Sequence, residues 1–201
     1  MTTREVLIKI VLIGDGAVGK TSIAKRYLGK EFEHEYIMTV GVDFYKKGTT
    51  IEIPEIGSIH FVWHIWDLSG QPHWEHVRPA FYRGARGALL VFDVSNKQSY
   101  IDAPQWAREF IKNSGGYYPI VLVGNKIDLR DKIENCITTE EGLELAKKLS
   151  EMMNMEVPYI ETSALLGINI DAAFNKLAEI IFKKTLKEIK EKREKARYPE
   201  Y

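Results

Sequence analysis

Three short segments carry residues whose types and spacing suit chemistry on a phosphorylated ligand. The first, Gly14-Asp15-Gly16-Ala17-Val18-Gly19-Lys20-Thr21, fits G-x-x-x-x-G-K-[ST]. Its glycines let the backbone turn and aim successive N–H groups inward at the start of a helix, which makes a site for an anion. In such a loop Lys20 reaches the β- and γ-phosphates and the Thr21 hydroxyl holds Mg²⁺. This implies a nucleoside triphosphate and leaves the base open. The second, Asn125-Lys126-Ile127-Asp128, directly follows an apolar run at 120–123. The Asp128 carboxylate can accept from guanine's ring N–H and exocyclic amine together. Adenine lacks that donor pair and would leave the carboxylate unpaired, at a cost of kilocalories. Asn and Asp also occur in ordinary strand-end turns; the phosphate loop upstream turns the pair toward GTP. The third is Trp66-Asp67-Leu68-Ser69-Gly70-Gln71. Asp67 at a strand end suits a Mg²⁺-bound water, and Gly70 leaves an N–H free to approach a γ-phosphate. Gln71 carries donor and acceptor on one amide, which suits orienting an attacking water.

These segments need a scaffold that brings strand ends together. Apolar runs at 6–13, 88–94, 120–123 and 159–162 read as buried strands, and amphipathic stretches at 19–28, 98–112, 139–153 and from 170 onward read as helices. Thr138 with Glu141 predicts a capping box at the start of the third helix. Ile170, Ala173, Phe174, Leu177, Ile180 and Ile181 share one face of the last. Extended segments 40–53 and 58–67, separated by Pro54-Glu55-Ile56-Gly57, predict a hairpin. The alternation predicts a three-layer α/β domain, mostly parallel, with one antiparallel edge strand.

The chain has 201 residues, about one domain's worth at ~150 residues per domain, and 45% of it is hydrophobic, enough for a core. Its 28 Lys and Arg balance 28 Asp and Glu, which removes the electrostatic case for nucleic-acid binding. The single cysteine, Cys136, allows neither an intrachain disulfide nor a cysteine zinc site and points to a reducing, cytoplasmic setting. No run is long enough to span a membrane. Thr2 follows the initiator Met, which argues against N-myristoylation, and Tyr198-Pro199-Glu200-Tyr201 offers no cysteine for prenylation. No lipid anchor is therefore expected, and membrane contact would be peripheral or through a partner. After Ile189, the run 190–197 alternates lysine and arginine with glutamate and has no apolar stripe. It reads as a solvated helix end rather than a basic membrane handle.

Together these segments resemble the Ras superfamily of small GTPases, and within it most closely the Rab family, over about residues 7–182. The Rab-like features are Thr39-Val40-Gly41-Val42-Asp43-Phe44, Trp66-Asp67 with Gly70-Gln71, Phe81-Tyr82-Arg83-Gly84-Ala85, Leu90-Val91-Phe92-Asp93-Val94 and Glu161-Thr162-Ser163-Ala164. The resemblance implies a P-loop NTPase fold with a six-stranded sheet. It implies a GTP-binding domain over 1–182, with 183–201 as a charged helical extension and tail. It implies a GTP/GDP-dependent switch, working with Mg²⁺ in signalling or vesicle traffic, that hydrolyses GTP slowly. Lys20, Gly70 and Gln71 are the catalytic residues on this view. Thr21, Thr39 and, through water, Asp67 hold the metal. The nucleotide would be bound by Asp15, Gly16, Ala17, Val18, Gly19, Lys20, Thr21 and Ser22, with Phe32 across the guanine, Tyr36 over the phosphates, and Thr39 and Gly70 sensing the γ-phosphate. Asn125, Lys126, Asp128, Leu129, Ser163, Ala164 and Leu165 would surround the base, Ala164 N–H facing its O6. Phe44, Trp66 and Phe81 look like the aromatic triad that Rab-type proteins show to effectors; Phe81 also suits a core position, and Trp66 is the better surface candidate. Effectors, an exchange factor and an activating protein are the implied partners of a monomer.

The sequence departs from the family pattern in places. Leu68-Ser69 replaces Thr-Ala, and Pro72 replaces the acid after the glutamine, removing an N–H and fixing φ. The hairpin loop is longer than usual. Arg26, Arg78, Arg83 and Arg86 read as surface charges, so an arginine for the transition state is expected in trans. His60, Val62, His64 and Trp66 alternate onto one strand face, with His73 and His76 nearby. Without a carboxylate or cysteine to complete a ligand set, this reads as an aromatic, partner-facing surface rather than a metal or pH-sensing site. Two rival functions compete with the switch. A catalytically weak GTP-bound scaffold is supported by Pro72 and opposed by Gln71 and the small Gly16. A metabolic P-loop kinase leaves Asn125-Lys126-Ile127-Asp128 unexplained.

Overall fold

The computed structural model describes residues 6–30, 39–54 and 56–197. The strands are β1 (Leu7–Ile13), β2 (Val42–Ile53), β3 (Gly57–Leu68), β4 (Ala88–Asp93), β5 (Ile120–Asn125) and β6 (Tyr159–Glu161). They form a six-stranded sheet in the order β2-β3-β1-β4-β5-β6. Every pairing is parallel except β2 with β3, so the antiparallel strand lies at the edge, as the sequence predicts. The helices are α1 (Lys20–Tyr27), α2 (Arg78–Tyr82), α3 (Lys97–Ser114), α4 (Thr139–Met153) and α5 (Ile170–Arg197).

Period-two alternation explains the layers. Ile8, Ile10 and Leu12 of β1 join a core with Ile23, Phe174 and Leu177 from α1 and α5. Val11 and Ile13 face the other way, into a core with Tyr82, Trp106, Phe110 and Leu149 from α2, α3 and α4. Strands β4 and β5 are buried along their whole length, so they read as unbroken apolar runs rather than alternating ones. On β3, Phe61, Trp63 and Ile65 are fully buried. The Trp63 indole donates to the Tyr27 hydroxyl at 3.0 Å, and Tyr27 stacks on Phe174. Burying such rings contributes roughly 2–3 kcal/mol apiece.

The capping box at Thr138 and Glu141 is formed from both sides. The buried face of α5 comprises Ile170, Ala173, Phe174, Leu177, Ala178 and Ile181, with Ile180 half-buried at its flank. At 28 residues α5 outruns that face, and Leu186 and Ile189 beyond it are exposed. No described helix is long and apolar enough to cross a membrane. The sequence pattern does not mark the short helix α2, whose start is set by Pro79 in its first turn. A 3-10 turn at Pro72–Trp74, again opening on a proline, precedes it.

Candidate nucleotide site

The phosphate loop runs from the end of β1 into α1. Gly19 has φ +99°, and a Cβ there would strike the side-chain nitrogen of Asn125. Only glycine allows that approach. The Lys20 ammonium is folded back on the loop, donating to the carbonyls of Gly14 at 2.7 Å and Asp15 at 2.6 Å. The side chain is 5% exposed, and burial pushes its pKa down to about 8, against the opposing charges of Asp67 and Asp15. A cation desolvated in this way is stabilised by an anion arriving beside it. Ala17 is exposed and Val18 buried, and Thr21 and Ser22 follow Lys20 in the first turn of α1.

Three oxygen-bearing side chains from separate elements meet next to Lys20. Thr21 Oγ1 lies 2.8 Å from Thr39 Oγ1 and donates to Asp67 Oδ2. The other carboxylate oxygen, Asp67 Oδ1, is buried without a hydrogen-bond partner. Burial raises the Asp67 carboxyl to about 6, opposed first by Lys20 and then by the Thr21 hydrogen bond. Two hydroxyls and an orphaned buried carboxylate oxygen form a hard oxygen set, and that donor chemistry fits Mg²⁺ sharing its shell with phosphates and water. Among the described residues no group of three or more His, Cys, Asp or Glu gathers as an alternative metal cluster.

Gly70 follows Asp67 closely and touches the phosphate loop. A Cβ at Gly70 would collide with the carbonyl of Asp15 and the nitrogen of Gly16. Gln71 is half-buried with extended backbone, and its N–H donates to Ser69 Oγ at 3.4 Å. The Gln71 carbonyl accepts from Trp74 N–H at 3.1 Å and from Arg78 Nη1 at 3.2 Å.

At the other end, Asn125 closes β5 and is 1% exposed. Its amide donates to Val18 O at 2.9 Å and accepts from Thr162 Oγ1 at 3.0 Å and Ala164 N–H at 3.2 Å. One side chain therefore ties the phosphate loop to both loops expected at the base. Asp128 Oδ1 accepts from the Ser163 hydroxyl, whose oxygen in turn accepts from Leu166 N–H at 3.1 Å. Lys126, at φ +67°, places its ammonium 2.6 Å from Asp93. Leu129 closes the 3-10 turn at Ile127–Leu129, and the Leu165 carbonyl accepts from Arg26 Nη2 at 3.0 Å. Arg130 bridges the two loops from behind, pairing with both oxygens of Glu161 at 2.8 and 2.5 Å and with Ile137 O.

The described residues of the expected site sit where β1, β3, β5 and β6 end, in the loops that follow those strands and the first turn of α1, with Thr39 just before β2. Phe32 and Tyr36 lie outside the described residues. Two of the arginines read as surface charges are not such. Arg26 is half-buried on Leu165. Arg78 is 4% exposed, held by Glu109, Gln71 and the ring of Trp106. Arg83 and Arg86 are exposed, as expected. The expected aromatic triad is contiguous: Phe44 and Trp66 are 5.1 Å apart, Trp66 and Phe81 5.5 Å. Phe44 is the most exposed of the three; Trp66 and Phe81 are both half-buried. His64 packs edge-on to Phe44, and His60 bonds Thr50. The sequence reading missed Arg130–Glu161 and the Arg78–Glu109–Trp106 group. Only the helical spacing of Trp106 and Glu109 on α3 hinted at the latter.

A profile of the Ras family matches residues 9–183. The chain belongs to the Ras family. Within it, this small GTPase is Rab-like. It is 34% identical over 176 residues to the Ypt/Rab-type GTPase YPT7 of Saccharomyces cerevisiae, covering 86% of this chain and 80% of that one. It is 37% identical over 177 residues to the GTP-binding protein YPTC5 of Chlamydomonas reinhardtii, covering 86% and 81%. Against the human Ras-related protein Rab-9B the identity is 35% over 178 residues, covering 87% and 82%. The small GTPase hydrolyses GTP and binds GTP and GDP with Mg²⁺.

Proposed function

We propose that this Rab-like GTPase is a slow switch whose state is read at Thr39 and Gly70. Thr21, Thr39 and Asp67 are the residues that would hold Mg²⁺ in the GTP form, and the Gly70 N–H would be the donor toward the γ-phosphate. Loss of that phosphate releases both contacts. Lys20 would neutralise developing charge and Gln71 would orient the water, and a bound Mg²⁺ would supply further positive charge. Asp128 reads guanine, backed by Ser163, and the Ala164 N–H, which donates to Asn125 Oδ1 in this structure, is the donor for the guanine O6, while Asn125 ties the base loops to the phosphate loop. The observation that carries this reading is the meeting of Thr21, Thr39 and the orphaned Asp67 oxygen directly beside Lys20.

Effectors then dock on Phe44, Trp66 and Phe81, and the remaining partners are an exchange factor and an activating protein. That last partner supplies the transition-state arginine, because Arg78 is already engaged. Residues 1–182 form the GTP-binding unit and 183–201 an extension, with any membrane contact peripheral. A second reading, the weak GTP-bound scaffold, is favoured by the bracing of 72–79 by Pro72, Pro79 and Arg78. Single-turnover hydrolysis of preloaded GTP with Mg²⁺ separates them. The switch requires a rate on the order of 10⁻⁴ s⁻¹ that falls at least tenfold in Gln71→Leu. Equal rates in the two proteins would make the scaffold the function.

A further inference from the structure

Arg78, the first residue of α2, is the most heavily bonded charged side chain between Gln71 and the end of that helix. Its Nε and Nη2 donate to the two oxygens of Glu109 at 2.8 and 3.0 Å, a bidentate fork onto α3. Its Nη1 reaches back seven residues to the carbonyl of Gln71. Its guanidinium lies over the Trp106 ring, 4.4 Å from the centroid. Tyr82 donates a further hydrogen bond to Glu109 at 2.9 Å, so the acceptor carboxylate is itself fixed. The Trp106 indole donates to Asp15 Oδ1 at 2.6 Å, in the phosphate loop. Two side chains of one rigid helix, Trp106 and Glu109, therefore hold the phosphate loop on one side and the Gln71 backbone on the other.

The consequence follows from the covalent geometry. The Gln71 carbonyl belongs to the peptide that joins Gln71 to Pro72. That peptide has no N–H, and the ring fixes the next φ. Two donors on its oxygen, Arg78 Nη1 and Trp74 N–H, set its plane and so the direction of the Gln71 side chain. A glutamine that must hold a water in line gains when its backbone is set in advance, because a displacement of about 1 Å can cost 10²-fold in rate. Only arginine has enough N–H groups, in a flat fork, to serve a carboxylate, a carbonyl and a ring face at once.

We propose that Arg78 is a positioning residue for GTP hydrolysis, fixing Gln71 through its main-chain carbonyl from an anchor on Glu109 and Trp106. The proposal rests on the reading of Gln71 as the water-orienting residue. It gives the arginine a role in cis that is distinct from a finger on the phosphates, since the guanidinium acts through Gln71.

The test is single-turnover hydrolysis of preloaded GTP in wild type, Arg78→Lys, Arg78→Met and Glu109→Gln, each also combined with Gln71→Leu, alongside GTP and GDP affinities. Arg78→Lys keeps the charge and loses the fork. It is expected to hydrolyse about tenfold more slowly, with both affinities within about twofold of wild type. Glu109→Gln, which keeps shape and a donor-facing oxygen, is expected to lose several-fold, and it serves if Arg78→Met fails to fold. In the Gln71→Leu background neither substitution should cost anything more, because the group they position is gone. A wild-type rate in Arg78→Lys overturns the proposal, showing that the fork geometry does not set the rate. A loss that persists in the Gln71→Leu background overturns it too, as does a fall in rate matched by an equal fall in affinity. If Gln71→Leu alone hydrolyses like wild type, the role of Gln71 fails and takes the proposal with it. A normal Gln71→Leu defect beside an inert Arg78→Lys sinks only the proposal.

Discussion

At the base end of the site, polar groups are satisfied within the protein. Asn125 makes three hydrogen bonds to two other loops, Ser163 meets Asp128, and Arg130 grips both oxygens of Glu161. At the phosphate end, groups are held ready but incomplete. Lys20 is a buried cation resting on two carbonyls, Asp67 keeps one buried oxygen without a partner, and Gly70 is pressed against the loop. A pocket closed by its own hydrogen bonds presents the same shape whatever the ligand's phosphate count. A pocket with unmatched charge changes most when phosphate and cation arrive, because desolvated groups then gain partners. On this reading, affinity resides at the base end and the switch at the phosphate end.

The largest expected effect tests the base end. Asp128→Ala removes the acceptor for guanine while giving up only one internal bond, from Ser163. GTP and GDP should both bind roughly 10³-fold more weakly, about 4 kcal/mol, by calorimetry or competition. The nucleotide-free protein should melt within a few degrees of wild type. A loss confined to GTP would break the comparison, since it would place phosphate sensing at the base.

Much of this was legible because it is local. The loop 14–21, the Asn125–Asp128 turn and Asp67 through Gln71 each pack their chemistry into eight residues or fewer at strand ends, and the alternating pattern places those ends together. The edge hairpin and the capping box at Thr138 follow from equally short-range rules. What escaped the sequence depends on pairs far apart. Arg78 meets Glu109 31 positions away, and Trp106 meets Asp15 91 positions away. An isolated arginine before a proline carries no sign that a carboxylate and an indole on another helix await it. Arg26 is the same case, its partner Leu165 being set by how α1 packs beside the base loop.

The next effect tests the phosphate end, with opposite signs for stability and binding. Asp67 is fully buried, with an unpartnered oxygen. Asp67→Asn removes the desolvated charge and should leave the nucleotide-free protein as stable or more so, by about 1 kcal/mol in urea melts. The same change should abolish most of the tightening that Mg²⁺ gives to GDP, measured as affinity with Mg²⁺ against affinity with a chelator. If the variant is destabilised without nucleotide and still responds to Mg²⁺, the phosphate end is satisfied internally, and the contrast with the base end disappears.

The smallest effect probes the clamp behind the base loops. Burial pushes the Glu161 carboxyl up, but hydrogen bonds from Arg130 and Tyr159 outweigh it and hold it below its ordinary value of 4.5. A carboxyl lowered on folding contributes stability that is present above its unfolded value and lost as pH falls through the folded one. Glu161→Gln should therefore cost about 1 kcal/mol near pH 7, the pair being partly solvent-screened. The gap between the two proteins should narrow below about pH 4.5, as wild-type Glu161 becomes protonated. Arg130 stays charged throughout that range, so it adds no slope of its own. Urea denaturation of both nucleotide-free proteins from about pH 7 down to about pH 3, through the window below the unfolded value, reads the gap directly. A constant gap would mean that Glu161 holds the loops by shape rather than by charge. The base end would then owe its closed form chiefly to Asn125 and the Ser163–Asp128 bond, and Asn125→Ala, rather than Glu161→Gln, would be the substitution that loosens both base loops together.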